Sequence, residues 1–351
     1  MIFITLALVI FGLVMLASAS SVTAYQKFGS SNYLLWRQFL YGVLPGWLFL
    51  VILAKIDYHR LEKLAFPLLL MSIVLLILVF MPGTGVELKG AKRWLDFGLV
   101  FQPTEVLKLT FVIYLAAWLS KCIREKQFLL TSFLTILAVI SFLVVSQPDV
   151  GTLFLLMVLA VGVYFAAGAP LKQILAILVL ALVTFGLLIK IAPYRLSRLV
   201  VFLNPEIDPQ GSGYQINQAL LAIGSGGFWG LGLGQSRQKY NYLPEVVGDS
   251  IFAVIAEELG FIGVIALITL FVLLAFLGFK IAKSARDDFG RLAACGITIW
   301  LVFQAFVNMG AMVGLLPLTG IPLPFISLGG TALTVSLASI GILINIARQS
   351  R

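Results

Sequence analysis

Histidine is almost missing from this chain. Among 351 residues there is one, His59, and there are only two cysteines, Cys122 and Cys295. Charge is scarce too: Asp, Glu, Lys and Arg make up 11% of the residues against 61% hydrophobic ones. Each shortage removes a class of chemistry. His59 falls in an inner loop of the topology below, which leaves no histidine for a Ser-His-Asp triad or a histidine metal cluster on the outer face. Both cysteines fall near the inner face, where a disulfide is not expected. No basic run interleaved with aromatics marks a nucleic-acid groove, so no nucleic-acid partner is expected. Neither an internal repeat nor inverted half-and-half symmetry supports a standard secondary transporter.

What the chain has in quantity is long apolar sequence. Mean hydropathy is +1.07, and runs long enough to cross a bilayer recur along its whole length. Ten spans are expected, at about 2–20, 37–54, 61–81, 103–120, 128–146, 150–167, 171–192, 250–279, 290–314 and 328–347. The fold class is therefore an all-α integral membrane protein, one polytopic domain over 1–351. A large extracytoplasmic loop, 193–249, joins spans seven and eight and follows Pro193. The first run carries a cleavage-like Ala17-Ser18-Ala19-Ser20 but no basic segment before it, and reads as a retained span. With the N-terminus inside, the inner loops collect most of the lysine and arginine, and the net charge of +9 reflects that anchoring.

Against this background the polar residues of the outer loops stand out. Glu245, Asp249, Glu257 and Glu258 crowd the start of span eight. A carboxylate at mid-membrane costs about 2.5–3.5 kcal/mol and usually marks a pathway or site. Asp249 is either a reactive acid or the N-cap of a helix starting at Ser250. The loop from Pro82 to Phe101 places Lys92, Arg93 and Trp94 where the positive-inside tendency disfavours cations. An anion such as phosphate would want them there; an interfacial Arg–Trp pair is the plainer alternative. Span four opens Gln102-Pro103-Thr104-Glu105-Val106-Leu107-Lys108, with proline at its first turn and Glu105 and Lys108 on one face. That pair faces the bundle interior, as glue or as part of a site. Asp149 in Gln147-Pro148-Asp149 is an N-cap or a site residue.

The loop before span eight is too long to be structureless. Tyr214 to Ile223 has one apolar and one amide-rich face and predicts a helix lying at the membrane surface. The glycines from Gly224 to Gly234 lack the dinucleotide register and instead permit close backbone approach or hinge motion. Spans nine and ten are joined by Leu316 to Thr331, rich in proline and glycine and containing Ser327. Such a segment is irregular and re-entrant, and is tolerated only under protein or beside a cavity. Gln304 and Asn308, one turn apart, add polarity to span nine.

Taken in order, Gly90-Ala91-Lys92-Arg93-Trp94, Phe101-Gln102-Pro103-Thr104-Glu105 with Lys108, Gln147-Pro148-Asp149-Val150-Gly151-Thr152, Tyr242-Leu243-Pro244-Glu245 with Asp249, and Leu318-Thr319-Gly320-Ile321-Pro322-Leu323-Pro324-Phe325-Ile326-Ser327 with Gly329-Gly330 resemble the SEDS family (FtsW/RodA/SpoVE). The resemblance runs from the first span to the last. Gly232-Leu233-Gly234-Gln235-Ser236 leading into Gln238-Lys239-Tyr240 is closer to the division members than to the elongation members. It implies a ten-span fold and peptidoglycan glycosyltransferase activity on lipid II at the outer leaflet of the bacterial cytoplasmic membrane, at the division septum. It also implies a class B penicillin-binding protein as partner transpeptidase, among other divisome membrane proteins. Asp249 falls on the family's catalytic aspartate. Arg93, Glu105, Lys108, Asp149 and Glu245 fall on other motif positions, and Lys92, Trp94 and Ser327 lie in the same blocks as candidate substrate contacts. Departures surround the aspartate: Val247, Gly248 and Ser250 replace the usual His-Thr before it and Phe after it, and Leu328 replaces a tyrosine.

The chemistry implied needs a base for the acceptor hydroxyl and cations for the departing pyrophosphate. Asp249 is expected as the base, with Lys92, Arg93 and Lys108 towards the phosphates. A divalent ion, magnesium or manganese, held by Asp249 with other carboxylates is the alternative neutraliser; no organic cofactor is expected. An α-linked donor and β-linked product require one inverting displacement and no covalent nucleophile. The rival readings are a lipid II flippase, a non-catalytic scaffold and an elongation-type polymerase. A flippase needs a polar path at the midplane, whereas these charges cluster at the outer ends of spans four, six and eight.

Overall fold

A computed structural model describes residues 1–88, 91–96, 98, 100–191, 196, 200–204, 207–208 and 211–350. Gly90 and Pro193, named above, lie outside the described residues. The helices are α1 (Ile2–Phe28), α2 (Tyr33–Lys55), α3 (His59–Leu78), α4 (Pro103–Glu125), α5 (Leu130–Ser146), α6 (Val150–Ala166), α7 (Leu171–Ile191), α8 (Ser212–Gly226), α9 (Ile251–Ser284), α10 (Asp288–Met312) and α11 (Gly330–Gln349). Every one of the ten expected spans falls on a helix, and within the long loop α8 covers the 214–223 segment. Among the described residues seven helices are long and apolar enough to cross a membrane; α5, α6 and the apolar part of α7 (Leu171–Leu187) are shorter.

Four local features depart from the expectation, each for an identifiable reason. First, α1 runs on to Phe28 and closes on Gly29, whose left-handed φ of 71° lets its N–H reach the Tyr25 carbonyl. Half of the outer loop expected from Ser21 is therefore helix. Second, α2 contains a π-helical turn at Phe39–Val43, just ahead of Pro45. Proline has no N–H to give and its ring crowds the preceding turn, so the turn widens. The Tyr41 and Gly42 carbonyls there accept from Thr334 Oγ1 of α11 at 3.4 and 3.2 Å. Third, α9 is broken at Gly260, whose φ of 64° and ψ of −163° are not helical. Fourth, the loop after α3 folds into an antiparallel sheet, β1 (Gly85–Leu88), β2 (Ala91–Asp96) and β3 (Val100–Phe101), in the order β1-β2-β3.

Helix α10 packs against α4, α6 and α9 and forms the middle of the bundle. Trp300 and Leu301 on it are buried, and so are the polar Thr298, Gln304 and Asn308. At one end of the bundle the connections meet one another: Arg93 of β2 bonds the α5–α6 turn, Gln38 bonds the α10–α11 segment, and Asn308 bonds the turn before α9. At the opposite end Tyr58 bonds Asp287 and Asn345, and Arg124 lies 3.4 Å from Glu62.

Candidate functional site

The connection from α10 to α11 turns back into the bundle without regular structure. Ile321, Leu323, Phe325, Ile326 and Ser327 on it are all buried. Irregular backbone in an apolar setting must find partners for its carbonyls, and here side chains of α10 supply them. Gln304 Nε2 donates to Pro322 O at 2.8 Å and Asn308 Nδ2 to Ile321 O at 2.9 Å. Ser327 Oγ accepts from Leu323 N at 2.8 Å and donates to Gly248 O at 2.6 Å, and Leu328 N donates to Val247 O at 2.8 Å. Gln38 closes the far end, donating to Ser327 O and accepting from Gly329 N.

The turn carrying Asp249 is thus tied to that segment through its neighbours on the chain. Asn308 Nδ2 adds a third tie, donating to Asp249 O at 2.8 Å. The carboxylate itself is half-buried, and its Oδ2 stands 3.9 Å from where a Cβ on Gly320 would sit. Gly320 has a φ of 69°, so glycine there serves the turn beside the acid. Glu245 is in the same turn: its carbonyl accepts from Gly248 N and Ser250 N, and its Oε2 lies 3.3 Å from the Cβ position of Gly248. Ser250, one residue on from Asp249, occupies the N-cap position of α9 and makes no side-chain cap bond of its own.

Glu105 and Lys108 form a 2.7 Å ion pair with side chains 4% and 1% exposed. Lys108 Nζ also donates to Gln304 Oε1 at 2.9 Å and lies 5.4 Å from the centre of the Trp300 ring. Trp300 Nε1 donates to the same Gln304 oxygen at 2.8 Å. The pair is interior glue that reaches the re-entrant segment through Gln304. The ammonium expected towards the phosphates is here enclosed by Glu105, Gln304 and the Trp300 ring.

Arg93 points from β2 to the α5–α6 turn. Its Nε donates to Gln147 O at 2.9 Å, its Nη2 to Pro148 O, and its Nη1 lies 3.9 Å from Asp149 Oδ1. Asp149 is the N-cap of α6, accepting from Thr152 N at 3.1 Å and Thr152 Oγ1 at 2.9 Å. Gly151 follows, and a Cβ there would fall 2.5 Å from Thr319 O, so the first turn of α6 presses directly on the re-entrant segment. Lys92 is exposed on β2 opposite Glu87, and Trp94 is half-buried opposite Val86.

The remaining acids of span eight do a different job. Glu258 accepts from Ser18 Oγ, Gly234 N, Ser236 N and Lys239 Nζ, the last at 3.0 Å. Glu257 accepts from Ser236 Oγ and from Arg237 N at 2.8 Å. The glycine-rich loop also repairs the break in α9. Leu231 N and Gly232 N donate to Glu257 O and Glu258 O, while Phe261 N and Ile262 N donate to Gly227 O and Phe228 O. Sequence reasoning missed Ser18, Gln38, Ser236 and Lys239 as members of this frame. The one available signal was Lys239, a lone lysine ahead of two adjacent acids in an apolar helix.

His59 lies at the other end of the bundle, 2.7 Å from Asp57 and 3.6 Å from Asp287. Its hydrogen bond draws the Asp57 carboxyl down to about 2, with Gln349 adding to the effect. Among the described residues no group of three His, Cys, Asp or Glu side chains could hold a metal ion.

A family model of cell cycle proteins, FtsW/RodA/SpoVE, matches residues 1–351. A "Probable peptidoglycan glycosyltransferase FtsW" of Geobacter metallireducens is 41% identical over 349 residues, 98% of this chain and 93% of that one. "Stage V sporulation protein E" of Bacillus subtilis is 40% identical, covering 100% of this chain and 97% of that one. Among solved structures, a chain of a peptidoglycan synthase complex matches with a TM-score of 0.81 at 30% identity, over 99% of this chain and 97% of that one. The rod-shape-determining protein RodA of Thermus thermophilus matches with a TM-score of 0.71 at 29% identity, over 99% and 95%.

Proposed function

Because the chain belongs to the FtsW/RodA/SpoVE family of cell cycle proteins, we propose that it is a peptidoglycan glycosyltransferase that polymerises lipid II into glycan strands during septal wall synthesis. The reaction takes place at the outer leaflet of the bacterial cytoplasmic membrane. A class B penicillin-binding protein is its transpeptidase partner, within the set of divisome membrane proteins. The observation that carries this reading is the setting of Asp249: a half-buried carboxylate in a turn held by Asn308 and Ser327, beside Gly320 of the re-entrant segment.

The step follows from that setting. The Asp249 carboxylate takes the proton of the acceptor sugar hydroxyl as that oxygen bonds to the anomeric carbon of the donor. The bond from that carbon to the pyrophosphate oxygen breaks, and the lipid pyrophosphate leaves. The carbon inverts once, from α to β, without a covalent enzyme intermediate. A positioned base of this kind is worth about 10²–10⁴ in rate. Lys92 and Arg93, at the same end of the bundle, are the cations that would meet pyrophosphate charge, Arg93 from its seat on the α5–α6 turn. Asp249 and Glu245 are the carboxylates that would hold a magnesium ion, which binds through one or two carboxylates together with substrate phosphates and would supply charge neutralisation there.

The flippase reading asks for a polar path at mid-membrane. Of the deeply buried acids, Glu105 pairs with Lys108 and Glu258 with Lys239, while Glu257 is held by Ser236 Oγ and Arg237 N, which favours the enzyme. The test is polymerisation of purified lipid II by this protein with its cognate penicillin-binding protein and magnesium, wild type against Asp249→Asn. Polymer from the wild type and none from a folded variant supports the reading. Equal polymer from both removes Asp249 from the mechanism, and transbilayer movement of lipid II without polymer favours a flippase.

A further inference from the structure

Span nine carries two amides that the proposed chemistry does not use. Asn308 is 1% exposed, and its amide nitrogen donates both protons, one to Asp249 O at 2.8 Å and one to Ile321 O at 2.9 Å. Two acceptors on one planar –NH₂ group stand about 5 Å apart. Beside the Ser327 and Leu328 ties to Gly248 and Val247, this one side chain bridges the carbonyl of Asp249 itself to the Ile321 carbonyl, next to Gly320, and so fixes their separation at that point. Its Oδ1 is buried and has no hydrogen-bond partner among the described residues, so the donor side of the amide is the side in use. Gln304, one turn earlier on α10, repeats the arrangement. It donates to Pro322 O, while its own oxygen accepts from Lys108 and Trp300. The Glu105–Lys108 pair thereby orients the lower rung, and Asn308 is the upper rung, next to the acid.

We propose that Asn308 is a positioning residue for the glycosyl transfer, holding Asp249 at its working distance from the Ile321 segment, with Gln304 as its support. The inference rests on the reading of Asp249 as the reacting acid. A packing role alone would be met by leucine, which has the same branched heavy-atom skeleton, somewhat bulkier, but no donor. Aspartate keeps the shape, loses both donors and sets negative charge against two carbonyls.

The experiment uses the full chain with its cognate penicillin-binding protein in vesicles, with lipid II concentration varied. Wild type, Asn308→Leu, Asn308→Asp, Gln304→Leu and Asp249→Asn are compared. Asn308→Leu is expected to lower kcat by 10- to 100-fold with KM within about twofold. Asn308→Asp is expected to fall at least as far, and Gln304→Leu to fall less. Hydrogen–deuterium exchange read in parallel should speed up several-fold over 245–250 and 318–328 in Asn308→Leu, with exchange elsewhere in the bundle unchanged. Wild-type kcat in Asn308→Leu alongside an inactive Asp249→Asn overturns the positioning role and leaves the acid in place. An active Asp249→Asn overturns both. Should Asn308→Leu unfold, Asn308→Asp carries the same comparison, and unchanged exchange over the two segments in a folded variant rejects the proposal independently of turnover.

Discussion

Lys108 shows how much a single side chain can contribute to such a frame. Its ammonium and the Glu105 carboxylate are sealed together 2.7 Å apart. Removing one partner of a buried pair leaves the other charge uncompensated and costs about 3–5 kcal/mol. Lys108→Met should therefore lower the unfolding midpoint in detergent sharply, and Glu105→Gln/Lys108→Met should recover most of the loss. A double variant no more stable than Lys108→Met would show that the pair is not what matters. Asp57 makes the contrasting case at the surface. Its carboxyl is held down to about 2, so its contribution is complete above the ordinary value of 3.8 and is lost as pH falls towards 2. The midpoint of Asp57→Asn should lie slightly below wild type at pH 6, and the difference should shrink below about pH 4. The two residues were not equally legible. Glu105 and Lys108 stood out because charges are rare in an apolar helix, whereas Gln38, Ser18 and Ser236 are ordinary neutral residues whose partners lie hundreds of positions away or across a loop.

At the scale of elements, the spans were readable because hydropathy over twenty residues is a strong signal, while the interruptions depend on tertiary partners. Gly260 follows Glu257, Glu258 and Leu259 in an otherwise apolar helix, and glycine alone in such a run gives no sign of a break. The break exists because the Gly226–Gly234 loop lies close enough to supply the missing hydrogen bonds. A Cβ on Gly260 would fall 2.3 Å from Gly230 N, and its φ of 64° is unfavourable for any other residue. Gly260→Ala should lose at least about 1–2 kcal/mol from the backbone conformation alone. It should also make the glycine loop a protease-sensitive site, whereas Gly224→Ala, with open space around its Cβ position, should behave like wild type. Equal protease resistance in the two variants would mean that the loop does not depend on the break. The small sheet was hidden for a related reason: its strands are short and charged, and it is held by the α5–α6 turn through Arg93. The site was half legible in the same sense. Asp249, Arg93 and Asp149 were marked by charge, but which carbonyl each neighbour satisfies follows only from the packing of α10.

Across the whole molecule, chemistry and charge are distributed between two ends. Asp249, Arg93, the sheet and the glycine loop share one end, and the other carries Lys126 at the close of α4 and the cluster of Asp57, His59, Asp287 and Arg348. Lysine and arginine are retained on the cytoplasmic side, which orients the site end outward, where lipid-linked disaccharide would be polymerised. Sidedness can be read directly with a membrane-impermeant maleimide on intact spheroplasts. Trp229, 78% exposed on the glycine loop, should label as Trp229→Cys without permeabilisation, and Lys126→Cys should label only after it. Labelling of both from outside, or the reverse order, would place Asp249 on the wrong face of the membrane for the reaction proposed. In that event the frame of hydrogen bonds around Asp249 would need another purpose.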